Sequence, residues 1–205
     1  DAARAVGGTV YIPPRTFYIQ STTATIFDLD DGGVTIKGDG PYASIVRSTV
    51  TNKDLLTATT TAALRVENIA FDSSAASSNA GMLLTSIVNS VFDYVHVSNF
   101  KYAADVAACQ LANFYSCNFS TPGTAGGSSV RLAGAIVKNL RFYGCAFGPN
   151  APGADDGVLV DVDTSHTLFS GCVFGASCVV GLNYAATLAG VGHAVIGCSF
   201  RGMTT

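Results

Sequence analysis

Charge is what this 205-residue chain lacks most: only 12% of its residues are Asp, Glu, Lys or Arg, and Glu67 is the sole glutamate. No Asp, Glu, Lys or Arg lies between Asp163 and Arg201. Long solvated helices have little to be built from here. The net charge of −3 and pI near 5.4 leave no basic stripe to track a phosphate backbone, so nucleic acid is excluded as an expected partner. Tryptophan is absent, the three histidines are scattered, and no two cysteines form a C-x-x-C pair. No metal site and no cofactor is therefore expected. Although 48% of residues are hydrophobic, Ser, Thr, Asn and Gly interrupt them before any run reaches the ~20 residues of a membrane-spanning helix. No membrane span is expected.

What is present is glycine, 22 residues of it, with abundant Ser, Thr, Ala and Val. That mixture suits many short strands joined by tight turns, and the length suffices for one sizeable core. Internal repetition then sets the architecture. Asn68-Ile69-Ala70-Phe71, Tyr94-Val95-His96-Val97, Ser116-Cys117-Asn118-Phe119, Gly144-Cys145-Ala146-Phe147, Gly171-Cys172-Val173-Phe174 and Gly197-Cys198-Ser199-Phe200 share one pattern. Five residues before the end of each block stands another apolar residue: Val66, Phe92, Phe114, Phe142, Phe169 and Val195. A period of 22 to 28 residues, with short strands that cannot bury a core alone, predicts an all-β parallel solenoid of stacked coils. Leucine-rich repeats have a similar period, but their dense leucine consensus is missing. Stacking brings like positions about 4.8 Å apart. The inward ladders are then Ile69, Val95, Cys117, Cys145, Cys172 and Cys198, together with the phenylalanines. The corner ladder is Asn68, Tyr94, Ser116, Gly144, Gly171 and Gly197, with glycine admitting a strained conformation.

The amino-terminal third carries a resemblance. Val10-Tyr11-Ile12-Pro13, Thr16-Phe17-Tyr18-Ile19, Gly33-Val34-Thr35-Ile36-Lys37-Gly38-Asp39-Gly40 and Ser44-Ile45-Val46 follow one another in an order that resembles the opening of pectate-lyase-like right-handed β-helices of bacteriophage tailspikes and polysaccharide depolymerases. Arg15 departs from the glycine usual in that family. The resemblance implies a right-handed single-stranded parallel β-helix over residues 1–205, truncated at both ends as a fragment of a longer chain. Residues 1–8 would be the end of a capping helix, 9–47 the opening rungs and 64–200 the regular rungs. It also implies a homotrimer in a virion tail, assembled in the bacterial cytoplasm, that binds a bacterial surface polysaccharide, with depolymerisation by hydrolysis or lyase chemistry left open. Two alternatives stay open: a non-catalytic structural or adhesive fibre segment, and a secreted, extracellular pectin-type enzyme.

Four cysteines in one inward column point the same way, not toward each other, so the six are read as reduced, buried small hydrophobes that suit a reducing compartment. Cleavage of a polysaccharide needs two carboxylates. Glu67 and Asp93 share one outer column on adjacent rungs, with Tyr115 and Tyr143 continuing it. Arg141 flanks that column on one side, and His96 and Asn118 on the other. Glu67 is assigned as proton donor and Asp93 as base or nucleophile, with His96, Tyr115, Asn118, Arg141 and Tyr143 as substrate-binding residues. The alternative pair is Asp161 and Asp163, expected about 7 Å apart on one strand face. The Ser/Thr/Ala tracts 48–63 and 72–80 interrupt the period and are expected to protrude.

Overall fold

The computed structural model describes residues 7–20, 27–29, 32–60, 62–122, 126–134, 137–149, 156–175, 178–184 and 192–201. All regular structure among them is β, wound as a right-handed parallel β-helix. Each coil contributes to three stacks of parallel strands. The first stack begins with Gly8–Tyr11 and Val34–Lys37, continues through the start of the long strands Arg65–Thr85 and Val91–Ala107, and ends with Asn113–Tyr115, Arg141–Tyr143, Leu168–Ser170 and Ala194–Ile196. The second runs from Arg15–Ile19 and Ser44–Ser48 through the middle of those two long strands to Asn118–Thr121, Ala146–Pro149, Val173–Phe174 and Ser199–Phe200. The third includes Phe27–Leu29, Leu56–Thr59, the ends of the long strands, Ser128–Leu132, Asp156–Val160 and Leu182–Tyr184.

The inward ladders pair as their spacing predicts. Val66, Phe92, Phe114, Phe142 and Phe169 lie one above another and are all but inaccessible. Phe92, Phe114, Phe142 and Phe169 stack at ring-centre separations of 4.6, 4.7 and 5.0 Å with planes within 10° of parallel. The second stack repeats this with Phe119, Phe147, Phe174 and Phe200. Rings of the two ladders meet edge-on, as at Phe142 and Phe147, so the core gains both favoured aromatic geometries. Between the ladders stand Cys117, Cys145, Cys172 and Cys198; these, like Cys109 and Cys178, are free thiols. Each thiol of the column donates to the carbonyl of a phenylalanine one rung below: Cys117 to Phe92, Cys145 to Phe114, Cys172 to Phe142 and Cys198 to Phe169, at 3.4–3.5 Å.

Two expectations need correction. The tract 48–63 is not an outgrowth from the cylinder: Leu55, Leu56 and Ala58 are fully buried, and Leu56–Thr59 is a strand of the third stack. The tract 72–80 lies inside Arg65–Thr85, and only Ser74, Ala75, Ala76 and Ser78 within it are exposed. Two register shifts against the next rung absorb its extra residues. Ser77 donates to the carbonyl of Thr51, and the Ala80 amide donates to Asp54, which tie the bulge down. Small side chains that pack against a neighbouring coil satisfy the backbone as well as a loop would. The capping helix expected at 1–8 falls on residues 1–6, outside the described residues, and Gly8 already opens a strand. No helix among the described residues is long and apolar enough to cross a membrane.

Because Phe142 touches rings above, below and beside it, Phe142→Ala is expected to cost about 3–5 kcal/mol, whereas Phe200→Ala, at a ring 49% exposed, should cost much less; urea midpoints compare them. A second expectation concerns the thiols. Burial pushes Cys109 up to about 11, and thiol–thiol contacts with Cys117 and Cys145 raise Cys145 and Cys172 respectively. Folded thiols thus keep their protons longer than unfolded ones, which titrate near ~8.5. Their contribution to stability is complete below that pH and declines as pH rises through the folded values. Native protein should resist iodoacetamide at pH 8 except at Cys198, the least buried thiol, and its melting temperature should fall between pH 8.5 and 11. A flat profile would contradict the ladder.

Candidate functional site

Outside the core, the first stack presents the column Lys37, Glu67, Asp93, Tyr115 and Tyr143 in strict register. Tyr115 and Tyr143 stack face to face at 5.2 Å and 7°. The flanking column is Arg65, Val91, Asn113 and Arg141. Glu67 is nearly buried, and its carboxylate accepts from the Arg65 guanidinium on the same strand face. The residue assigned as proton donor thus has an arginine as its immediate partner. Asp93 is half-buried, and its carboxylate makes no hydrogen bond or ion pair among the described residues.

A corner separates that column from His96 and Asn118. Asn68, Tyr94, Ser116, Gly144, Gly171 and Gly197 all take φ between +50° and +62°, so one left-handed residue turns the chain from the first stack to the second. The predicted residues therefore divide between two adjoining faces: Glu67, Asp93, Tyr115, Arg141 and Tyr143 on one, His96 and Asn118 on the other. In the two opening rungs the corner is longer. Pro13 and Pro14 make it in the first rung, and Gly38 to Ala43 in the second. Ser44, fully buried, fastens the second: its hydroxyl accepts from the Asp39 amide and donates to the Ile12 carbonyl. A side chain at Gly38 would strike the Asn68 carbonyl oxygen at 2.4 Å. The loop so fixed carries Tyr42 out over the second stack.

Where this long corner meets the one-residue corners above it, a pocket of about 160 Å³ opens. Ile45, Ala70 and Pro41 are its apolar lining, Tyr42 and His96 its aromatic wall, and Arg47, Asp72 and Ser98 its polar end. The His96 ring is held edge-on by Tyr42 at 5.1 Å and by Tyr94 at 5.5 Å. Burial lowers its pKa from the ordinary 6.5, which favours the neutral imidazole. Asp72, directly opposite Arg47 in the ladder, accepts from Arg47 Nε at 2.7 Å, Ser98 Oγ at 2.6 Å and Asn99 Nδ2 at 2.9 Å.

Of this pocket, sequence reasoning found His96 alone. Tyr42, Arg47 and Asp72 were missed because the repeat frame starts at the third rung, and the pocket is made by a departure from it. The alternative pair does not stand on a strand face: the strand ends at Val160, and Asp161 and Asp163 lie exposed in the turn beyond. On the third stack, Arg131 grips Asp105 through Nε and Nη2 and lies 4.1 Å over the Tyr102 ring. That cluster is internally satisfied and joins two rungs. Among the described residues no group of three or more His, Cys, Asp or Glu is placed to hold a metal ion.

No family model matches the chain, and no curated protein matches it. Among solved structures, the chain aligns over 97% of its length with the crystal structure of the Agl-KA catalytic domain, at 13% identity and a TM-score of 0.63. It spans 46% of that chain, about half its length. It also aligns over its whole length with 79% of pectin methylesterase from carrot, at 9% identity and a TM-score of 0.47. ORF18 of Geobacillus virus E2 aligns with 96% of the chain over 55% of its own, at 11% identity and a TM-score of 0.25. At such identities the likeness is one of fold.

The lowered pKa of His96 has a measurable consequence. Above pH 6.5 the ring is neutral folded and unfolded; as pH falls the unfolded ring takes its proton first, so stability present at neutrality is lost through the folded pKa. His193, also lowered by burial and by the nearby His166, acts in the same direction. The ring protons of His96 should titrate below pH 6.5 by NMR, and His96→Gln should flatten the fall of melting temperature between pH 6.5 and 5. An ordinary titration would mean the ring is not held in the pocket.

Proposed function

We propose that this protein recognises a polysaccharide along the ridge between its first two stacks. The observation that carries the reading is the pocket: an apolar lining, an aromatic wall and a hydrogen-bonding end, set among exposed tyrosines. Tyr11, Tyr18, Tyr42, Tyr94 and Tyr115 are all 39% exposed or more, and all stand on the two faces or the corner between them. Flat rings cover the apolar C–H faces of sugars, while Arg47, Ser98 and Asp72 answer hydroxyl groups. A pocket of this volume is below the ~300–1,000 Å³ that enclose drug-sized ligands, so it takes one ring of a chain whose remainder runs over the ridge. The specific form of the proposal is a tailspike-like virion protein, a homotrimer that attaches to a bacterial surface polysaccharide. Support for that form is the order of strands and corners in residues 7–46.

A second reading, cleavage, is favoured by the register that sets Glu67 directly opposite Asp93. Adjacent rungs are about 4.8 Å apart, near the ~5–5.5 Å that separates the carboxyl groups of retaining glycosidases.

The test is retention on immobilised capsular or lipopolysaccharide. Tyr42→Ala and His96→Ala should each weaken retention by about tenfold, the scale of one lost aromatic contact, with melting temperature nearly unchanged for Tyr42→Ala, whose ring is 80% exposed. Glu67→Gln and Asp93→Asn should bind within twofold of the parent. If either of these two abolishes depolymerisation while binding persists, cleavage is established; equal turnover in both retires that reading.

A further inference from the structure

The polar end of the pocket has a charge arrangement that the binding reading alone does not use. Arg47 gives its Nε–H to Asp72, while its two Nη groups bond to nothing among the described residues. Its side chain is 34% exposed and that of Asp72 only 11%, so the guanidinium lies at the mouth with the carboxylate behind it. Asp72 has about four lone-pair sites, and Arg47, Ser98 and Asn99 occupy three of them. Ser98, having donated to Asp72, keeps its oxygen lone pairs for an incoming hydroxyl. The mouth therefore offers forked N–H donors, a hydroxyl acceptor and one spare carboxylate site. The ionisable side chains nearby are His96, Tyr42 and Tyr94 at the aromatic end and Tyr18 directly opposite Arg47 in the ladder, and the Arg47 charge is balanced by Asp72. A pyranose whose substituents are hydroxyls can pair with each group at no electrostatic cost. A uronic acid would bring its carboxylate to Arg47 and so to Asp72, whose fixed negative charge lies in a half-dry pocket where like charges repel more than in water.

We infer that the Tyr42–His96 pocket selects a neutral, hydroxyl-bearing pyranose over a uronic acid, and that Asp72 sets this selectivity through its hold on Arg47. The inference rests on the carbohydrate-binding reading and names the substrate class of that site. Asp72 is nearly buried and held by three donors, so it stays behind Arg47 Nε whatever binds at the two Nη groups, and an anionic ligand drawn to those groups meets its carboxylate at close range. Specificity here comes from a repulsive element placed beside the attractive one.

The test uses the 205-residue chain at pH 7.5 with hexasaccharides of two kinds: neutral (glucose, galactose and mannose hexamers) and anionic (galacturonate, glucuronate and mannuronate hexamers). Binding is followed by NMR shifts of the His96 ring, which place the contact, and by calorimetry. The expected result is a preference of about tenfold or more for at least one neutral hexamer over its uronate counterpart. Asp72→Asn should bring that ratio to about one or invert it. Arg47→Gln, which leaves the negative charge of Asp72 unopposed, should widen it. The two variants are thus expected to move in opposite directions, which a common loss of folding cannot imitate, and melting temperatures accompany both. Equal or tighter binding of uronates by the parent overturns the selectivity and leaves the carbohydrate reading standing. So does a ratio that Asp72→Asn leaves unchanged. If no hexamer of either kind moves the His96 ring, the carbohydrate reading of this pocket fails, and the selectivity with it.

Discussion

Every coil of this protein closes because a few backbone positions accept a left-handed conformation. Three ladders of such residues run up the solenoid. One is Gly7, Gly33, Ala63, Asn89, Leu111, Asn139, His166 and Gly192; a second is Thr60, Ser86, Ala108 and Gly134; the third is the corner ladder from Asn68 to Gly197. For a residue with a Cβ the left-handed region costs about 1–2 kcal/mol, and Leu111 and Tyr94 have no side-chain trick to offset it. The conformation persists because the amides at these positions feed the next rung: Asn89 donates to the Gln110 carbonyl, Leu111 to that of Lys138, Asn139 to that of Ser165. Straightening one corner would break the ladder on both sides of it. Corner strain and stacked phenylalanines are two halves of one balance, since the rings meet at 4.6–5.0 Å only if each corner repeats the one below.

This constraint also explains where the surface becomes chemically specific. With regular corners, adjacent rungs place like positions above one another, and the outer columns are shallow. Relief appears only where one corner differs from its neighbour. The six-residue turn Gly38 to Ala43 sits next to the single-residue corner at Asn68. The small Ala70 then lies between Ile45 below and His96 above, so the step becomes a hollow with Tyr42 at its rim. Its polar end is held rigidly by backbone-registered partners, and rigid groups lose little freedom when a ligand arrives.

How much of this was legible in the residues follows from the same physics. Phe114, Phe142 and Phe169 recur at one period because an inward column tolerates only apolar residues, so the first two stacks could be read from the third rung onward. The corner ladder was legible where it is glycine, at 144, 171 and 197, and Asn68, Tyr94 and Ser116 followed by register. The third stack was less visible. Its spacing varies with the preceding turn, and in residues 72–80 small polar residues pack in a bulge that composition alone assigns to a loop. Asp105 and Arg131, which face each other across a rung, escaped notice for that reason. The outer columns Glu67, Asp93, Tyr115 and Tyr143 were placed correctly in register. What they do chemically depends on partners within the same strand, as Arg65 is for Glu67, and periodicity carries no information about those.

Three ion pairs among the described residues show a further consequence of so low a charge content. Arg47 with Asp72 and Arg131 with Asp105 each join directly opposed residues of adjacent rungs, and Arg65 with Glu67 joins two residues of one strand. In an exposed setting such pairs contribute little, but the carboxylates of Asp72, Glu67 and Asp105 have side chains only 11–12% exposed. A carboxylate that far from solvent must be matched or it would unsettle the rung that carries it. Three of the chain's few cations are consumed in this matching. A cation paired in this way adds little long-range pull on a charged polymer. On the proposed binding reading, contact therefore falls to ring faces and oriented hydrogen bonds, the interactions that the tyrosine ridge and the polar end of the pocket provide.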